Sequence, residues 1–208
     1  MRRVSRLLSV LLATVVLSVL ASSTALASSR TSVDPATLTP VPPPGATCWY
    51  TTNPHDVTCK TFKDFNADQQ PVFSVSCGTV YETSRDHRDG LRLYVDGLAV
   101  RRLVHGQMSG TWSLSPDATG RVITLSSDWV STSVWTTPGD DSTVQETGYG
   151  LQYRASAPGL GNAIYWFGIV YYGFAVPDGT TKGVKNGFDV DGNLTPGAIA
   201  AVSRVLCR

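Results

Sequence analysis

The chain has 208 residues, with 17 Lys and Arg against 16 Asp and Glu, and a formal net charge of +1. Three arginines fall within residues 1–27, so the remainder is slightly acidic. That balance argues against nucleic acid, which attracts proteins through clustered Lys and Arg, and the length suits one domain with a core of its own.

Arg2, Arg3 and Arg6 form a positive head, Leu7 to Leu20 an apolar run, and Ala25-Leu26-Ala27 a small-x-small cleavage site. This is the pattern of a signal peptide over residues 1–27. The run is shorter than the ~20 residues of a membrane span, and no later segment is long and apolar enough to cross a bilayer. The expected product is a secreted protein with no membrane span after processing.

Residues 28–45 are rich in Pro, Ser and Thr and end in Pro42-Pro43-Pro44-Gly45. They are expected to form a disordered leader ahead of a β domain over 46–208. Cys48, Cys59, Cys77 and Cys207 all follow the signal, and an oxidising compartment predicts two disulfides. Three pairings are open. The favoured one joins Cys48 to Cys59 across a short loop and Cys77 to Cys207, tying an early strand to the C-terminus. There is no Cys-x-x-Cys, and His55, His87 and His105 are scattered, so neither a metal nor another cofactor is expected.

From Val72 onward, short β-favouring runs alternate with turn signals. Arg88-Asp89-Gly90, Asp96-Gly97, Pro116 to Gly120, Pro138 to Asp141, Gly148-Tyr149-Gly150 and Pro158 to Gly161 read as turns. Ile164 to Phe174 carries large apolar groups on both faces, as a strand covered on both sides would. The pattern predicts an all-β fold, an antiparallel sandwich or barrel. A short helix closes the chain, with Thr195 as N-cap, Pro196 at the first position and an apolar stripe of Ile199, Val202, Val205 and Leu206. Asp189-Val190-Asp191-Gly192-Asn193 opens like a calcium loop. Leu194 stands where glycine is needed and Ala200 where the bidentate acid is needed, so a polar turn is expected.

The clearest binding pattern is Trp129 to Trp135. Val130, Thr132 and Val134 share one face, and Trp129, Ser131, Ser133 and Trp135 the other. With the valine face buried, two indoles ~20 Å apart would flank a hydroxyl-rich floor suited to sugar rings. The alternative packs both indoles into the core. No catalytic set is evident. Ser109 lacks the spacing of a nucleophile elbow, Glu82 and Glu146 are far apart in sequence, and His105 needs a distant Asp to act as a base.

At Ser109-Gly110-Thr111-Trp112, Ala118-Thr119-Gly120-Arg121, Pro138-Gly139-Asp140, Glu146-Thr147-Gly148, Pro158-Gly159-Leu160-Gly161 and Val205-Leu206-Cys207, the layout resembles small secreted β-rich proteins of high-GC Gram-positive bacteria. The resemblance implies export, repeated hairpins and a cysteine near the C-terminus, and brings no activity with it. The expected function is a non-enzymatic extracellular binding module for a polysaccharide or cell envelope, with Trp129, Ser131, Ser133 and Trp135 as contacts. The alternatives are a secreted interaction or inhibitor protein with a surface-protein partner, and a carboxylate-dependent hydrolase.

Overall fold

The computed structural model describes residues 30–173, 180–189 and 191–208, and Ser32–Arg208 form one compact unit. The expected signal peptide lies outside the described residues. The fold is a single antiparallel meander in which each strand pairs with its neighbours in sequence. Its strands are β1 (Ser32–Val33), β2 (Thr47–Tyr50), β3 (Asp56–Val75), β4 (Gly78–Val95), β5 (Leu98–Ser113), β6 (Val122–Trp135), β7 (Val144–Ser156), β8 (Ile164–Tyr172) and β9 (Thr180–Asn186). One helix, α1 (Pro196–Leu206), follows. The all-β class with a C-terminal helix is as expected. The sheet is open, with β1 and β9 at its edges, and is neither a two-sheet sandwich nor a closed barrel.

The strands are longer than the turn signals predict. Asp96 (φ 50°) and Gly97 (φ 78°) do form the two-residue turn between β4 and β5. Arg88-Asp89-Gly90 and Gly148-Tyr149-Gly150, however, lie inside β4 and β7. Their glycines answer to packing across the sheet. Gly106, Gly150, Gly168 and Gly183 stand in one cross-strand row with Trp129. With no Cβ in that row, the inward face can curl and the Trp129 indole can lie on Gly106. Strand β3 meets β2 only through Val57–Lys60, so the rest of it is an edge. Pro71 sits in that edge beside two register shifts, the setting that tolerates a missing N–H.

Apolar residues collect at the two ends of the sheet. At one end α1 lays Ala198, Ala201, Val202, Val205 and Leu206 against Val80, Trp112, Ile123, Leu125 and Ile164. Thr195 caps the helix by accepting from the Ala198 N–H, and Ile199 is only half-buried. At the other end Val33, Leu38, Val57, Tyr94, Ala99 and Trp135 surround the Cys48–Cys59 bridge. The second bridge joins Cys77 to Cys207, the C-cap of α1. Both pairings match expectation.

Two further expectations are corrected. The stretch expected as a disordered leader forms β1 and a short 3-10 turn over Pro35–Thr37, and buries Val33 and Leu38. Burying those two side chains offsets the entropy of ordering a proline-limited backbone. Strand β8 is not covered on both sides, because Phe167 and Tyr172 are exposed.

Between the two cores lies a polar waist. Val80 and Tyr94 in β4 are fully buried, yet the inward positions between them hold Glu82, Ser84, Asp86, Arg88, Gly90 and Arg92. The outward positions of neighbouring strands carry exposed Leu91, Leu103, Val130, Val134 and Tyr149. At the waist the inward face is polar, and the outward face is mixed, with these apolar side chains beside exposed His87, His105 and Asp128.

Candidate functional site: a polar groove at the sheet waist

The inward side chains of the waist enclose a groove of about 240 Å³. Period-two alternation sends Arg88 and Arg92 from β4, Arg102 from β5, Trp129 and Ser131 from β6 and Glu146 from β7 to this one face. Lys63 and Phe65 border it from β3, and Pro43 from the N-terminal segment.

Each arginine is held differently. Arg88 donates from Nε and Nη2 to Asp86 Oδ2, at 2.9 and 2.6 Å. Its guanidinium stands 4.4 Å from the Phe65 ring centre and 5.4 Å from that of Trp129. Arg102 donates to Glu146 Oε2 at 2.6 Å and to Ser133 Oγ at 3.0 and 3.2 Å. Ser133 in turn donates to Glu146 at 3.0 Å. Arg92 has no carboxylate partner. It is 9% exposed, rests 5.3 Å from the Trp135 ring centre, and donates one Nη1 bond of 3.4 Å to the Tyr94 hydroxyl.

Burial pushes the Tyr94 phenol above its ordinary value, against the opposing pull of Arg92. Tyr94 therefore stays neutral and donates to the Pro40 carbonyl at 3.0 Å, leaving the charge on Arg92 uncancelled. The Arg92 Nε and the Oγ of Ser131, itself 2% exposed, have no hydrogen-bond partner. An unsatisfied buried polar atom costs ~1–3 kcal/mol. Among the described residues, Asp86 Oδ1, Gln152 Nε2, the Tyr153 hydroxyl and Trp166 Nε1 are unpartnered in the same way, and Arg92 and Ser131 are the two of these six that line the groove.

The four residues expected as sugar contacts are divided by the structure. Trp129 and Ser131 line the groove. Ser133 lies beneath it in the Arg102–Glu146 network, and Trp135 is buried in the core, donating to Asp141 at 2.9 Å. The arrangement with the valine face buried is corrected: Val130 and Val134 are 41% and 45% exposed. The valines face out because the waist turns its polar side inward, so no floor flanked by two open indoles forms. Arg88, Arg92, Arg102 and Glu146 were missed as site residues. Their signal was the alternation Arg88-x-Gly90-x-Arg92-x-Tyr94, which puts polar residues on the face that buries Tyr94.

Other chemistry-bearing groups stand apart. His105 meets Asp128 at 2.8 Å, and His87 meets Asp64 at 2.6 Å and Asp89 at 3.1 Å, all exposed on the outward face. Glu82 accepts from Trp112 Nε1 and Ser84 Oγ, and shares no partner with Glu146. Asp189 accepts from the Asn193 backbone N–H at 2.8 Å, closing the polar turn before α1. Among the described residues, no three His, Cys, Asp or Glu side chains are grouped to hold a metal. A second concavity of about 300 Å³ is bounded by exposed Arg121, Arg204 and Arg208, and none of these is a buried polar group waiting for a partner. No family model matches the chain, and neither does any curated protein or solved structure.

Proposed function

We propose that the protein is a secreted, non-enzymatic binding module whose waist groove takes a polysaccharide of an envelope or extracellular substrate. The observation that carries this reading is the pair of buried, partner-free polar atoms at the groove, Arg92 Nε and Ser131 Oγ. Pockets for drug-sized ligands run ~300–1,000 Å³, so a groove of about 240 Å³ suits one sugar unit of a longer chain. Two disulfides fit an extracellular setting. A tryptophan-fluorescence titration against soluble polysaccharides and cell-wall fragments tests the reading. A saturable change that Trp129→Phe removes supports it. A flat response from folded protein contradicts it.

A second reading, an interaction protein, is favoured by the outward face. Leu103, Val130, Tyr149, Phe167 and Val184 are exposed on neighbouring strands, and exposed apolar side chains grouped on one face are what a protein partner would cover. Loss of partner capture in Val130→Ser/Tyr149→Ser, with sugar binding unchanged, would separate the two readings.

A further inference from the structure

Resting on the binding-module reading, we infer that the groove recognises the oxyanion of an acidic polysaccharide, a carboxylate or sulfate, through Arg92 and Ser131. Three features of the groove lead there.

The first is charge. Lys63, Arg88, Arg92 and Arg102 stand against two carboxylates, Glu146 in the lining and Asp86 beside Arg88. The groove is locally cationic on a chain whose total charge is near zero. Asp86 Oδ2 is engaged by Arg88 and Glu146 by Arg102 and Ser133, while Asp86 Oδ1 beside Arg88 is buried without a partner. Lys63 and Arg92 are the cations left over; Lys63 is exposed over the Phe65 ring, and Arg92 is the buried one. An arginine this buried, with no carboxylate of its own, is electrostatically incomplete.

The second is donor geometry. Arg92 Nε is an unpartnered N–H closed to solvent in this structure, so the guanidinium must turn toward the groove before its planar fork of donors can meet a carboxylate or sulfate edge. Ser131 Oγ, also unpartnered, lines the same groove and provides one further donor.

The third concerns the aromatic surface. One side of the Trp129 indole covers Gly106, and the Arg88 guanidinium stands over the Trp129 and Phe65 rings. The bare indole face on which a neutral sugar would stack is therefore occupied by a cation. The rings hold Arg88 in place as a flanking charge, and an anion gains from that arrangement where a neutral ring does not.

The test is calorimetric titration of the disulfide-intact protein with polygalacturonate, dextran sulfate and neutral dextran. The variants are Arg92→Gln, Ser131→Ala and, outside the groove, Arg204→Gln. Ser131→Ala removes a hydroxyl that makes no bond, so it keeps the test open if Arg92→Gln fails to fold. The expected result is saturable binding of a charged polymer and none of dextran. The dissociation constant should rise about tenfold or more in Arg92→Gln and several-fold in Ser131→Ala, with Arg204→Gln unchanged.

Polygalacturonate binding alone assigns a carboxylate, and dextran sulfate binding alone a sulfate. Dextran bound as tightly as the charged polymers, with both groove variants unaffected, overturns the inference and the groove as the site, and leaves polysaccharide binding itself standing. Charged polymers lost in Arg204→Gln but not in Arg92→Gln overturn it in favour of the exposed arginines. No binding of any polymer by folded protein overturns both readings.

Discussion

Arg102 on β5 reaches across β6 to Glu146 on β7, Nη2 to Oε2 at 2.6 Å, with Ser133 on the intervening strand hydrogen-bonded to both. These side chains are 31% and 23% exposed, so the pair is partly shielded from water. Glu146→Gln would leave Arg102 without its counter-charge, at a cost of ~1–3 kcal/mol. Urea unfolding should show a lower midpoint at an unchanged slope, and Arg102→Gln in the same background should recover part of the loss.

The glycine row makes a graded prediction. A Cβ at Gly106 would meet the Trp129 ring, which can shift, and Gly106→Ala should cost ~1–2 kcal/mol. At Gly150 the Cβ would stand 2.6 Å from the Asp128 carbonyl oxygen, and φ is +123°. Neither can relax without moving backbone, so Gly150→Ala should cost more, ~2–4 kcal/mol. Equal losses in the two variants would contradict this account of the row.

The two disulfides should differ. Cys77–Cys207 spans 130 residues and Cys48–Cys59 spans 11. Loop-closure entropy gives about 5 kcal/mol for the longer and about 3 kcal/mol for the shorter. Replacing Cys77 and Cys207 by Ser should therefore lower the thermal midpoint further than replacing Cys48 and Cys59.

On the outward face, acid and alkali should each remove something. The hydrogen bond to Asp64 raises the pKa of His87 above its ordinary 6.5, opposed by desolvation and aided by Asp89. Its contribution is fully present below pH 6.5 and is lost as pH rises through the raised value. Hydrogen bonds from His105 and then Gln107 hold Asp128 below 3.8. Its contribution is present above pH 3.8 and is lost as pH falls through the lowered value. Both are small at such exposed sites. In a pH series of thermal midpoints, His87→Gln should flatten only the alkaline slope and Asp128→Asn only the acid one.

How much of this was legible in the sequence follows the kind of signal. Local backbone chemistry was readable: the Asp96-Gly97 turn, the Thr195-Pro196 helix start and the partners of Cys48 and Cys77. The waist was not. Hydrophobic alternation normally points the apolar residues inward, and here Leu91, Val130 and Val134 point out because the apolar cores occupy only the sheet ends. Gly90, Gly148 and Gly150 read as turns because glycine signals freedom of backbone and close approach alike, and only the register of neighbouring strands separates the two. Trp129 and Ser131 were found from one alternating strand. Arg92 was not, since nothing local says that an arginine will be buried without a carboxylate.

The central claim is that Arg92 waits for an anion, and its Nε–H resonance is the most direct witness. In the arginine side-chain region of a ¹H–¹⁵N spectrum, titration with oligogalacturonate or a sulfated oligosaccharide should move Arg92 strongly. Arg88 and Arg102 should follow with the same saturation curve, while Arg121 and Arg204 stay still. Movement of Arg121 and Arg204 alone, or an Arg92 signal that stays fixed while binding saturates, would contradict the account.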